Sequence, residues 1–306
     1  MKSYISNIVY KTNSITIPVF EIGNFQNGFG VLVAQIHGDE YSGRLICQKF
    51  IRSKFKINKG VRIIACANPD GAKLGVKNEP LTNINLNRIF ISEKLKPESM
   101  ASSIANKIFE LCKGADFVID LHDMPGSQIP LCAIITLTEN NIINKQNYNL
   151  ANIFYPGVLW VEDFRNLSTS KRYIGTINNY LCKFGIPNFT IETNPLDKIN
   201  EKEIDIVIRK IIRLLNTKPI VYQKSLNLIR RYELFAPSGG IIIPCSIPLL
   251  AKIKRGEKLA TVLNEKLEKI DIISPLNGLL IRKTIARNIQ KKEKIFDIGK
   301  KVLWKH

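Results

Sequence analysis

Six short, unbroken apolar runs set the architecture of this chain. They are Gly30–Ile36, Val61–Ala67, Asp116–Leu121, Leu131–Thr138, Gly157–Val161 and Asn188–Glu192. Short apolar stretches without polar alternation are what strands buried on both faces require. Helical patterns lie among them, near Glu40–Lys54, Glu98–Lys113, Lys171–Phe184 and Glu201–Leu215, with Pro97-Glu98 reading as a helix start. This order predicts an α/β fold: a mixed, mostly parallel sheet flanked by helices.

The pattern changes from about Tyr232. Amphipathic helices give way to short β-branched runs separated by Gly, Pro and Lys. "APSGGIII" (Ala236–Ile243) matches "SPLNGLLI" (Ser274–Ile281), and "KRGEKLATVL" (Lys254–Leu263) echoes "QKKEKIFDIG" (Gln290–Gly299). Two similar units of this kind predict a small C-terminal all-β barrel-sandwich domain. A chain of 306 residues is also long for one core. The expected division is a catalytic domain over 1–228 and a β appendage over 229–306.

The formal net charge is +19, from 45 Lys and Arg against 26 Asp and Glu. Such an excess raises nucleic acid as a partner. The basic residues, however, are spread along the whole chain with Ile and Asn, all residues of A/T-rich codons. The densest stretch, Lys291-Lys292-Glu293-Lys294, reads as a turn. The expectation is no nucleic-acid partner, but an attraction for small acidic substrates, which needs only local charge. No apolar run approaches the ~18 residues of a membrane span, and the first twenty residues show no signal-peptide core. Six dispersed cysteines without a CxxC pair read as buried small hydrophobes in a reducing compartment. Together these predict a cytoplasmic protein with no membrane partner, and leave a homo-oligomer open.

Only three histidines occur, and two of them end buried runs. His37 follows the first run, with Glu40 three residues later and Gly38 between them to permit a tight turn. His122 follows the third run in "ADFVIDLHD". Ligands bind at the carboxyl ends of strands in open α/β sheets. A His–Glu–His set with an open fourth position is a catalytic zinc arrangement; the bland alternative is two hydrogen-bonded histidines at strand ends. His306 is the last residue. Glu192 ends the sixth run, where an unpaired acid is costly, and is a candidate base for activating water. In the loop-like segment 67–90, Asn87 and Arg88 offer an amide and a planar guanidinium to a substrate carboxylate. Asp39 reads as a helix start or an orienting residue, Asp120 as an orienting partner or a structural ion pair, and Asp123 as the cap of the next turn. The polar stretch 162–173, with Arg165 and Arg172, either covers the substrate or begins a helix. Trp160 and Tyr155 read as packing residues. The appendage shows no catalytic constellation and is expected to narrow access or mediate assembly.

Taken in order, these pieces resemble the succinylglutamate desuccinylase/aspartoacylase branch of the zinc carboxypeptidase superfamily. They are His37-Gly38-Asp39-Glu40, Asn68-Pro69, Leu86-Asn87-Arg88 with an aromatic at Phe90, Asp120-Leu121-His122, and Thr190-Ile191-Glu192. The C-terminal repeat is similar to the barrel-sandwich appendage of that branch. The resemblance implies one zinc held by His37, Glu40 and His122, with Glu192 as general base and later acid. It implies that Asn87 and Arg88 bind an anionic group, and that water attacks the amide of a small N-acyl amino acid. Two positions depart from the family. Where related deacylases carry an Arg that polarises the scissile carbonyl, the position falls at or near Lys77, with Lys73 close by. Lys is a point charge without the guanidinium fork, and Lys77 is expected to assist at the substrate. Asn85 stands where the family usually has Asp before Leu, and removes a charge that could orient Arg88. A metallocarboxypeptidase on short peptides, or a zinc-binding scaffold without catalysis, remain the alternative readings.

Overall fold

The computed structural model describes residues 2–91, 98–154, 157–165, 173–217 and 227–302. Pro97, Tyr155, Arg172, His306 and most of the polar stretch 162–173 lie outside them. The first part comprises β1 (Lys2–Tyr10), β2 (Asn13–Ile22), β3 (Phe29–Ala34), α1 (Ser42–Arg52), β4 (Gly60–Ile64), α2 (Pro69–Leu74), α3 (Met100–Cys112) and β5 (Phe117–Asp123). There follow β6 (Ser127–Gln128), β7 (Cys132–Leu137), α4 (Asn141–Phe154), β8 (Val158–Asp163), α5 (Ile177–Lys183), β9 (Asn188–Thr193) and α6 (Glu201–Asn216). The chain ends in β10 (Asn227–Phe235), β11 (Gly240–Pro244), β12 (Lys252–Ile253), β13 (Lys258–Leu263), β14 (Lys269–Ile273), β15 (Gly278–Thr284), β16 (Arg287–Ile289) and β17 (Lys294–Lys301).

A single sheet runs through most of the molecule in the order β1-β2-β4-β3-β5-β9-β7-β8-β10-β17-β15-β12, with β6 paired to β15. The pairs β4·β3, β3·β5, β5·β9, β7·β8 and β8·β10 are parallel, while β9·β7 is antiparallel. Period-two geometry sends successive residues of each strand to opposite faces. Leu32 joins one apolar layer with Ile46 and Phe50 of α1 and Val207 and Ile211 of α6. Its neighbours Val31 and Val33 join the other layer, with Ile104 and Ile108 of α3 and Tyr180 of α5. Helix starts follow side-chain chemistry: Ser99 and Ser102 form a reciprocal capping box for α3, and Asn200 caps α6.

The six apolar runs are strands. The amino-terminal hairpin β1–β2 and the helix α4 extend that pattern. α4 is rich in Asn, a residue that favours caps and turns over helix interiors, and the buried Ile143, Ala151 and Phe154 hold it to the sheet. The first helix begins at Ser42, not Glu40, because His37–Tyr41 form the turn that carries the site. Among the described residues, no helix is long and apolar enough to cross a membrane.

The C-terminal repeat becomes a sandwich. β11 and β13 pair in a four-stranded sheet, and their counterparts β15 and β17 pair at the end of the large one. One shared core, including Ile242, Val262, Leu280 and Phe296, fills the space between. The glycine common to both repeat halves has a steric cause. A Cβ on Gly240 would lie 2.2 Å from the Leu263 carbonyl oxygen, and one on Gly278 2.8 Å from that of Gly299. Leu263 and Gly299 occupy matching places in β13 and β17.

Phe189 of β9 is fully buried with its ring centroid 5.5 Å from that of Phe154. Phe189→Ala should destabilise the protein by about 3–5 kcal/mol, read as a lowered urea midpoint with an unchanged m-value.

Candidate metal centre

The site begins where β3 ends. Gln35 is left-handed, with φ of 56°, which is costly for a side-chain residue. Its Nε2 donates to the Gly38 carbonyl at 3.0 Å and stabilises the turn from inside. Gly38 sits in the turn without a positive φ. It needs room: a Cβ there would sit 2.2 Å from the Gly71 carbonyl carbon at the start of α2. The turn swings His37 and Glu40 over the carboxyl end of β5, whose Asp120 and His122 share a face because the strand continues to Asp123. β9 lies alongside in register, His122 opposite Glu192.

These elements bring one carboxylate between two imidazoles. His37 Nδ1 is 2.6 Å from Glu40 Oε1, and His122 Nδ1 is 2.6 Å from Glu40 Oε2. His37, Glu40 and His122 are 6%, 5% and 5% exposed, and one ligand atom from each lies within 4.8 Å of the others. Burial alone would raise the Glu40 pKa, but the adjacent His37 and His122 outweigh it and hold the carboxyl well below its usual range. Burial would likewise lower His122, but Asp120 and Glu40 overcome it and raise the imidazole well above its ordinary value. His37 has one carboxylate neighbour and stays lowered by burial. The outer nitrogen of His122 lies 2.7 Å from Asp120 Oδ2. That contact lets Nε2 donate to Asp120 and leaves Nδ1 as the ring nitrogen that faces Glu40. Two imidazole nitrogens and a carboxylate facing one point form a donor set that suits zinc.

The other predicted residues surround this triad. Glu192 lines the same cavity, and its buried Oε2 has no hydrogen-bond partner among the described residues. Burial, reinforced by the negative charge of Glu40, pushes its carboxyl up to about 8 against the opposing pull of His122. Asn87 accepts the Ile177 N–H at 2.8 Å, which directs its Nδ2 toward His122 Nε2, 3.3 Å away. Arg88 also lines the cavity, with its guanidinium 5.2 Å from the Tyr173 ring centroid. Lys77 Nζ stands 3.7 Å from Glu40 Oε1, whereas Lys73 pairs with Asp70 at 3.0 Å and is largely exposed. Of the two lysines, only Lys77 is at the site.

Several residues take roles that the sequence did not suggest. Asn85, read as removing a charge that could orient Arg88, has its Oδ1 3.1 Å from His37 Nε2, where it also accepts the Asn87 N–H at 2.8 Å. Asp123 does not cap the turn after β5. Its carboxylate accepts the Ser42 N–H at 2.8 Å and so caps α1 from another strand. Asp39 lines the cavity with one oxygen buried and without a hydrogen-bond partner among the described residues.

The appendage is not silent either. Arg231 of β10, Arg282 of β15 and Lys294 of β17 line the cavity. Lys294 ends the stretch that reads as a turn, yet it opens β17, burial pulls its ammonium down to about 8, and it lies 3.2 Å from Glu233. Arg231 sits 2.9 Å from Glu162, with its guanidinium 4.8 Å from the ring centroids of both Trp160 and Tyr173. Trp160 is buried as expected. The signal available for Arg282 was its place within the strand-like "GLLIRKT". β15 also pins the loop after β5, for Arg282 Nε donates to Ser127 Oγ at 3.0 Å and Thr284 Oγ1 to the Gly126 carbonyl at 2.9 Å.

The family model for the succinylglutamate desuccinylase/aspartoacylase catalytic domain matches residues 30–217. No curated protein matches the chain significantly. Among solved structures, the chain is similar to an aspartoacylase family protein from Mesorhizobium loti, at 16% identity and a TM-score of 0.80, covering 99% of this chain and 95% of that one. It is similar to the product-bound ectoine utilization protein EutE (DoeB) from Ruegeria pomeroyi, at 16% identity and a TM-score of 0.80, covering 97% and 95%. A succinylglutamate desuccinylase/aspartoacylase from Rhodobacter sphaeroides gives 14% identity and a TM-score of 0.79, covering 99% and 95%. At such identities the structural likeness speaks for the fold alone. The family model spans well over half the chain, and on that ground the chain belongs to the succinylglutamate desuccinylase/aspartoacylase family, whose members are hydrolytic deacylases.

Proposed function

We propose that the chain is a zinc-dependent hydrolase that cleaves the amide bond of a small N-acyl amino acid or a related compound. The observation that carries this reading is the convergence of His37 Nδ1, His122 Nδ1 and the Glu40 carboxylate beside Glu192. His37, Glu40 and His122 would hold one zinc ion. When bound, the metal polarises the scissile carbonyl and lowers the pKa of the attacking water.

The remaining steps belong to side chains. Glu192, in register beside His122, takes the proton of the attacking water when its carboxyl is ionised, a form that the positive charge of a bound metal would favour, and returns it to the departing amine. Asn87 and Arg88 bind an anionic group of the substrate, Arg88 with its guanidinium set against Tyr173. Lys77 supplies a mobile positive charge near the scissile carbonyl. Arg231, Arg282 and Lys294 also line the cavity, where Arg231 is paired with Glu162 and Lys294 with Glu233, so the anchoring of an acidic substrate is assigned to Arg88 and Lys77. The cavity holds about 250 Å³, a volume suited to a small molecule. That size favours a deacylase over a carboxypeptidase, which must admit a peptide; lengthening the acyl side of a substrate should therefore reduce kcat/KM.

Elemental analysis should find about one zinc per chain in the wild type and a large loss in His122→Ala. Wild-type protein that takes up no stoichiometric metal would overturn the reading. Glu192→Gln should lower kcat by roughly 10²–10⁴-fold while metal content stays unchanged; surviving turnover would place the base elsewhere. Arg88→Ala should raise KM for anionic substrates by about ten- to hundredfold, with little change for neutral ones. An equal loss for both would remove its anchoring role.

A further inference from the structure

The two candidate ligand histidines are held by unlike groups. His122 Nε2 lies 2.7 Å from the carboxylate of Asp120, which is fully buried. His37 Nε2 lies 3.1 Å from Asn85 Oδ1, a neutral amide oxygen. The orientation of that amide is fixed by a second contact. Its Oδ1 accepts the backbone N–H of Asn87 at 2.8 Å, and an N–H can face only the oxygen end. His37 therefore carries a ring proton on Nε2, which leaves Nδ1, the nitrogen beside Glu40, as the one that would bind a metal.

The chemistry of the two arms differs accordingly. A carboxylate acceptor polarises the imidazole, strengthens the opposite nitrogen as a donor and adds negative charge near the site. An amide orients the ring but adds neither. Asn85 has a further task, since the oxygen that orients His37 also caps the short turn Leu86–Arg88. The metal-binding arm and the turn that presents Asn87 and Arg88 thus meet at one atom.

We propose that Asn85 is a positioning residue. It holds His37 in the metal-binding tautomer, keeps that arm electrically neutral, and ties metal loading to the geometry of the Asn87–Arg88 turn. This inference rests on the zinc reading above. It makes His37 the weaker arm of the site and Asn85 the position at which metal affinity is set.

The test uses the full chain and zinc alone, with affinity measured by competition against a chromogenic chelator. Asn85→Ala removes both contacts and should weaken binding by about ten- to hundredfold. Asn85→Asp keeps both acceptor contacts, adds charge, and should tighten binding about tenfold relative to wild type. Nitrogen chemical shifts of His37 should report the Nε2-protonated ring in wild type and Asn85→Asp, and its loss in Asn85→Ala. The KM for an anionic substrate should rise in Asn85→Ala and stay near wild type in Asn85→Asp. If Asn85→Ala fails to fold, Asn85→Ser, with a side chain too short to reach His37 from the cap, should show the same weakening. Wild-type affinity in the Ala (or Ser) and Asp variants overturns the inference and leaves the zinc reading standing. A wild type that takes up no zinc overturns both.

Discussion

The carboxylate of Glu40 is the constraint around which the site is arranged. A buried acid is costly unless charge and hydrogen bonds surround it. Glu40 has His37 on one oxygen, His122 on the other, and the Asp123 N–H 3.3 Å from the second. These partners come from separate elements, so Glu40 is stabilised only if β3 and β5 lie side by side with their carboxyl ends at one edge. The left-handed Gln35, the close approach of Gly38 to α2 and the capping of α1 by Asp123 all serve the turn that brings Glu40 there. The fold and the chemistry therefore depend on the same few contacts.

Much of this was legible because charged residues broke an apolar pattern. His37, His122 and Glu192 each end a run that would otherwise be plain core, and strands buried on both faces leave little room for such residues without a purpose. The hydrophobic runs themselves identified the central strands. The repeat in the last third identified the sandwich, and its shared glycine marks where paired strands press closest.

What escaped the sequence reading escaped for physical reasons. Arg282 breaks the run "GLLIRKT" much as Glu192 breaks its own, but in a chain with 45 Lys and Arg one more basic residue is a weak signal. Lys294 sits in a cluster that reads as a turn, and only the pairing of β17 with β10 and β15 carries it inward. Asn85 was judged by its sequence neighbour Arg88, whereas its partner His37 lies 48 positions earlier. Asp123 caps a helix 81 positions away. Contacts of this range come from topology, which local pattern does not encode. The Asn-rich α4 was hidden by its own composition, since its helicity comes from packing more than from propensity.

The insertion of β10 between β8 and β17 bears on how the protein moves. Backbone hydrogen bonds join the two parts of the chain along that strand, and β15 grips the loop after β5 as well. Two lobes stitched in this way cannot swing apart on a hinge without tearing a sheet. Any change in the shape of the cavity must then come from movements smaller than a hinge between the lobes.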